Sequence, residues 1–179
     1  TYYFITSYIP KVLQFNPTFS IIYSEVKNMI RMATKNDLQT LVNFNIAIAY
    51  ESEKLQLDYE TVRKGVLNVL DDFHKGIYYV YEINGEVVGQ LLITYEWSDW
   101  RNANWWWIQS VYTKPAHRGK GVFSALFAFI EQIVQSRNDA CGIRLTVDRH
   151  NLTAQKTYKR LKMFESHYFL YELPKVKSE

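Results

Sequence analysis

The sequence predicts an α+β domain, a mixed and mostly antiparallel sheet flanked by helices, in the order β-α-α-β-β-β-α-β-α-β. Three observations carry this. The dipeptide Asn84-Gly85 joins two apolar alternations, "IYYVYEI" and "EVVGQLLITYEW", the strongest short-range signal for a hairpin. Apolar residues recur at helical spacing on both sides of that block. The last third alternates strand-like and helix-like stretches.

Each element follows in order. "MIRMA" reads as a short strand, and Thr34 with Asp37 three residues later resembles a capping signal for the helix "LQTLVNFNIAIAYE". Asp58 is placed to cap a second helix, in which Val62, Val66, Val69, Leu70 and Phe73 recur on one stripe and which Gly76 is expected to stop. After the hairpin, the loop "SDWRNAN" leads into the strand "WWWIQSVYT", which Pro115 breaks. Val122, Leu126, Phe129, Ile130 and Ile133 mark the next helix. "CGIRLTVD" then alternates as a strand, "TAQKTYKRL" is a short helix, and "ESHYFLYEL" is expected to close the sheet.

At 179 residues one domain is the default. Residues 1–27 are almost uncharged and lack the basic start and small-residue cleavage site of a secretory signal. They are expected to be an N-terminal extension, with the domain over residues 28–179. Hydrophobic residues at 47% and charged ones at 22% suit a soluble protein, and no stretch approaches the roughly 20 apolar residues of a membrane helix. A cytoplasmic location is therefore expected. The net charge of +3 is too small and too evenly spread for a nucleic-acid binder. The single cysteine, Cys141, excludes an internal disulfide and is expected to be a buried reduced thiol. Four histidines without metal-ligand spacing give no reason to expect a metal site.

The chemistry is concentrated in "HRGKGVF", between a strand and a helix. Such a turn exposes the unpaired amides of the helix N-terminus, where the backbone dipole adds partial positive charge. Gly119 and Gly121 let that backbone approach an anion, and Arg118 and Lys120 add mobile positive charge. An ordinary strand-to-helix connection has the same look. Two nucleotide motifs are excluded: no Ser or Thr follows Lys120 as a P-loop requires, and Ser124 occupies the place of the third glycine of a dinucleotide fingerprint.

The run "VYTKPAHRGKGVFSALF" resembles the acyl-CoA signature of the GCN5-related N-acetyltransferase (GNAT) superfamily, Q/RxxGxG/A. Arg118 and Gly121 match it, and Phe123 stands at its last position in place of Gly or Ala. About 30 residues on, "NLTAQKTYKRLKMF" resembles the motif NxxAxxxYxxxGF, with Asn151, Ala154 and Tyr158 in place, Lys162 where Gly is usual and Met163 where Phe is usual. At about 100° per residue these three fall on one helical face. Asn151 can equally cap that helix, and Tyr158 can equally be a core aromatic.

The resemblance implies a GNAT-like acyl-CoA N-acyltransferase fold and the transfer of an acyl group, acetyl by expectation, from CoA to an amine of a small molecule or protein. It implies cofactor contacts from Val111, Tyr112, Thr113, Arg118, Gly119, Lys120, Gly121, Val122, Phe123, Asn151 and Tyr158, with the strand pairing along the pantetheine arm and Tyr158 the general acid for the departing thiolate. Members of the superfamily often carry a Glu on this strand. Here the polar residue is Gln109, which leaves Glu51, Glu53 and Glu96 as base candidates, with Asp99 also near. Trp97, Trp100 and Trp105 to Trp107 are expected to divide between core and acceptor pocket, and with Glu96 and Asp99 such a pocket would favour a cationic amine. A CoA-binding sensor or scaffold without transfer activity is the alternative. The oligomeric state is left open, a homodimer included.

Overall fold

A computed structural model describes residues 29–175, so the expected extension over residues 1–27 lies outside it. Two compact units divide between Thr146 and Val147.

The first unit is a five-stranded sheet in the order β1 (Ile30–Met32), β2 (Ile77–Ile83), β3 (Glu86–Ser98), β4 (Ala103–Thr113) and β5 (Ala140–Leu145). The first three pairings are antiparallel and β4 with β5 is parallel. The turn between β2 and β3 has Asn84 and Gly85 both at positive φ, as a two-residue hairpin with the sheet's own twist requires. Helices α1 (Leu38–Glu53) and α2 (Tyr59–Asp71) connect β1 to β2, and α3 (Val122–Gln135) connects β4 to β5.

Asp58 caps α2 as expected, whereas the Thr34 and Asp37 pair closes a 3-10 turn, Lys35–Asp37, that leads into α1. The Asp37 carboxylate accepts from the Thr34 amide at 2.7 Å, and Asp58 accepts from the Thr61 amide at 2.8 Å. The stop at Gly76 is corrected: α2 ends at Asp71, with Asp72 as its cap, and Phe73 beyond it is exposed. Gly76 is instead required where β2 begins, because its φ is +154° and a Cβ there would lie 2.4 Å from the Ile93 carbonyl.

Leu41, Val42 and Phe44 of α1 and Val66 of α2 pack with Tyr78, Val80, Leu92 and Tyr112 on one sheet face. On the other face the Phe129 ring of α3 meets Tyr79 edge-on at 5.7 Å. The buried stripe of α3 is Val122, Leu126, Phe127, Ile130 and Val134, with Phe129 and Ile133 only half-buried. Leu41, Leu91, Ile93 and Leu126 are fully buried, each worth about 1.5–3 kcal/mol relative to exposure.

The second unit contains α4 (Leu152–Arg160). The closing strand expected over residues 165–173 does not form: these residues belong to no sheet, and Phe169, Tyr171 and Leu173 are more than four-fifths exposed. Apolar alternation proposes a strand, but only a neighbouring backbone makes one.

Candidate functional site

The site begins where β4 loses its neighbour. Pairing with β5 runs from Asn104 to Ile108 and stops. Beyond it β4 carries a bulge, in which Ser110 and Val111 stand opposite the single Leu91, and Ser110 has φ +49°. The bulge reverses the strand's phase: Trp107 and Gln109 share the α1 face, and so does Tyr112, an even-numbered position that unbroken alternation from Gln109 through Ser110 and Val111 would point away. Tyr112 instead lies against Phe44, ring centroids 4.7 Å apart.

The backbone follows the same alternation. Lys114 donates its amide to Val88 of β3 at 2.9 Å, so Tyr112 also faces β3, and Val111 and Thr113 turn their backbone groups to the edge that β5 has left.

The glycine turn follows at once. Pro115–His117 forms a short 3-10 turn, then Gly119 (φ +73°) and Gly121 (φ +84°) adopt left-handed conformations. Among the described residues, no atom beyond the glycine and its chain neighbours lies within 4 Å of where a Cβ would sit at either position, so backbone conformation rather than crowding selects them. The ladder of α3 starts with Ala125 donating to Gly121 at 2.9 Å. Its first turn is seated on β3 at Gly89, where a Cβ would meet Val122 Cγ1 at 2.5 Å. Open space above two positive-φ glycines at a helix N-terminus is geometry that fits a pyrophosphate.

Arg118 is not the mobile charge the sequence implied. Its Nε donates to the Thr113 carbonyl at 2.9 Å, its Nη2 is 2.6 Å from Glu51 Oε2, and its guanidinium lies over the Tyr112 ring. Glu51 also accepts from the Tyr112 hydroxyl at 3.2 Å. Burial, and then the neighbouring Glu51 carboxylate, push the Tyr112 phenol up. The structure thus brings Glu51, Tyr112, Thr113 and Arg118 together. Lys120 and Glu53 are exposed.

Glu96 belongs to another cluster, at the far end of the same sheet face. It accepts from Trp107 Nε1 at 2.5 Å and pairs with Arg144 Nη1 at 2.7 Å, while the Arg144 guanidinium stacks 4.0 Å from the Trp105 ring centroid. A cation already fills the aromatic and acidic surface expected to receive a cationic amine, and that cation is the chain's own. Trp106 is buried on the opposite face against Tyr95, and Trp97 and Trp100 are exposed. Asp99 accepts from the Trp100 amide at 2.9 Å in the loop. Cys141 is half-buried, its thiol 3.8 Å from the Ala103 carbonyl.

In the second unit, Asn151 caps α4 by accepting from the Ala154 amide at 3.0 Å. Burial pushes the Tyr158 phenol up. Lys162 has φ +61°; its amide donates to Lys159 and that of Met163 to Tyr158, the paired bonds of a left-handed helix end where glycine is preferred.

Three polar residues escaped the sequence reading: the buried Tyr78 and Gln90 and the half-buried Asn45. The available signal was an amide inside each of two apolar runs, "FNIAIA" and "VVGQLLI".

The acetyltransferase (GNAT) family matches residues 44–163. The chain belongs to this family. Among solved structures, a possible acetyltransferase from Clostridium difficile 630 is 43% identical, with TM-score 0.79, over 83% of this chain and 97% of that one. Two others share the GNAT fold at lower identity. One is a probable acetyltransferase, 20% identical with TM-score 0.73, over 83% of this chain and 99% of that one. The other is a predicted acetyltransferase with acetyl-CoA from Clostridium acetobutylicum, 17% identical with TM-score 0.66, over 80% and 94%. No curated protein matches the chain. No helix of the described residues is long and apolar enough to cross a membrane.

Proposed function

We propose that this GNAT protein is an acyl-CoA-dependent N-acyltransferase that moves acetyl from acetyl-CoA to a primary amine of a small molecule or protein. One observation carries the proposal: a strand edge at Val111, paired with no strand of the described residues, leads directly into a positive-φ glycine turn at a helix N-terminus. A pantetheine arm presents amides that pair with a strand edge, and the pyrophosphate beyond it takes backbone donors at the turn. Gly119, Lys120, Gly121, Val122 and Phe123 supply that cradle in this reading, with Arg118 bracing it from Thr113. The family neighbour that holds acetyl-CoA supports the choice of co-substrate.

The chemistry is addition and expulsion. The neutral amine adds to the thioester carbonyl carbon, and the oxygen takes up negative charge opposite the Val111 amide. Collapse breaks the C–S bond, and Tyr158 gives its proton to the sulfur. A phenol pushed up by burial stays protonated at neutral pH, as that task requires. The amine's own proton leaves through water or through a carboxylate among Glu51, Glu53 and Glu96. Asn151 holds the start of α4, the helix that carries Tyr158.

Purified protein is assayed for acetyl-CoA binding by calorimetry and for free thiol with a panel of amines and peptides. Saturable binding with amine-dependent thiol release is expected. Absence of binding by folded protein refutes the proposal. Glu51 and Glu96 both being paired with arginines favours the CoA-binding module as second reading, and tight binding with no thiol release from any acceptor would select it.

A further inference from the structure

Gln90 is fully buried in β3, and both protons of its amide are used: Nε2 donates to Asn45 Oδ1 of α1 at 2.7 Å and to the Ser110 carbonyl of the bulge at 3.1 Å. Asn45 in turn donates to the Tyr78 hydroxyl of β2 at 2.9 Å, and Tyr78, itself buried, also bonds the Ser110 side chain. Side chains from three elements therefore converge on one bulged residue held at φ +49°. A non-glycine residue in that conformation costs about 1–3 kcal/mol and persists only where its surroundings impose it.

The network is not built for stability alone. Gln90 Oε1 is buried and accepts no hydrogen bond among the described residues. An acceptor left that way weighs against the fold, and an apolar side chain of the same length would avoid it. What Gln90 supplies is two donors, one to Asn45 and one that holds the Ser110 carbonyl on the inner side of the strand. The next backbone unit, Val111, then faces the open edge.

We propose that Gln90, with Asn45 and Tyr78, is the positioning device of the transfer reaction: the network locks the β4 bulge so that the Val111 amide meets the developing oxyanion. This rests on the acyltransferase reading. A misplacement of about 1 Å at a reacting centre costs on the order of a hundredfold in rate, so a loosened bulge has a large kinetic effect without touching the pyrophosphate end.

The test is Gln90→Met, which keeps length and removes both donors, beside Leu41→Ala, a truncation in the same core cluster that removes none of the network's hydrogen bonds. For each, kcat and KM for acetyl-CoA are measured with the amine that turns over fastest, and the thermal midpoint is recorded. Gln90→Met is expected to lower kcat about tenfold or more, to leave KM for acetyl-CoA within about twofold, and to lose less thermal stability than Leu41→Ala. Leu41→Ala is expected to melt earlier but turn over normally well below its midpoint. Asn45→Asp, which still accepts from Gln90 and would accept from the Tyr78 hydroxyl where asparagine donates to it, is expected to keep kcat within about threefold, whereas Asn45→Leu follows Gln90→Met. Wild-type kcat in Gln90→Met, or a fall no larger than in Leu41→Ala at equal distance from the midpoint, overturns the positioning role while the acyltransferase reading stands. If the wild type releases no thiol with any amine, that reading falls and the positioning role with it.

Discussion

Replacing Gly121 by Ala separates the conformational demand of the turn from its ligand role. Gly121 sits at φ +84° and ψ 2°, and among the described residues nothing beyond its chain neighbours lies within 4 Å of the Cβ that alanine would add. The unliganded cost is therefore backbone strain alone, about 1–2 kcal/mol for an L-residue in the left-handed region. That corresponds to a fall of roughly 2–8 °C in the thermal midpoint for a chain of this size. Acetyl-CoA at a hundred times its Kd stabilises the wild type by about 2.7 kcal/mol. A methyl group in the cradle that weakens binding tenfold leaves about 1.4 kcal/mol at the same concentration. Urea unfolding with and without a fixed acetyl-CoA concentration measures both quantities on one protein. An undiminished ligand increment would show that the anion is held elsewhere. An unliganded loss below about 0.5 kcal/mol would show that the left-handed backbone is not what demands glycine.

Three further outcomes are expected. Asp37 is buried and bonded by Arg31, which holds its carboxyl below the ordinary value of 3.8, so its contribution to stability is complete above about pH 4 and is lost as pH falls through the lowered value; urea midpoints followed from pH 7 to pH 2 should drop in that window, and Asp37→Asn should flatten the drop while lowering the neutral-pH plateau. Lys162→Gly relieves a left-handed lysine at the end of α4 and should slow hydrogen exchange of that helix about two- to fivefold, where faster exchange would count against the strain argument. Tyr158→Phe should lower kcat far more than it raises the Kd for acetyl-CoA, and an unchanged kcat would remove its role as acid.

Elements whose signals are local were legible in the sequence. Asn84-Gly85, the Asp58 cap and the two turn glycines each impose a backbone conformation through their own chemistry, and the structure has them where the residues require. Features that need a distant partner were not. Glu96 read as a free carboxylate because Arg144 is 48 positions away, and Arg118 read as mobile because Glu51 is 67 positions away. The strand expected over residues 165–173 had the right alternation but pairs with no strand among the described residues. The bulge was invisible because Ser110 carries no turn signal of its own, and its conformation is imposed by Gln90, Asn45 and Tyr78 from three other elements.

That bulge divides β4 into two blocks with opposite parity. Odd-numbered positions up to Gln109 and the even-numbered Tyr112 share one side of the sheet, so a library that varies every second residue along the strand would redesign two different surfaces at once. Deleting Ser110 would not shorten a loop. It would leave Val111 alone opposite Leu91 and keep Tyr112 on the α1 face beside Phe44, while removing the carbonyl that Gln90 binds and the side chain that Tyr78 binds. Redesign of this strand has to treat residues 103–109 and 111–113 as separate segments, because Ser110 sets the bulge between them and not the face on which Tyr112 lies.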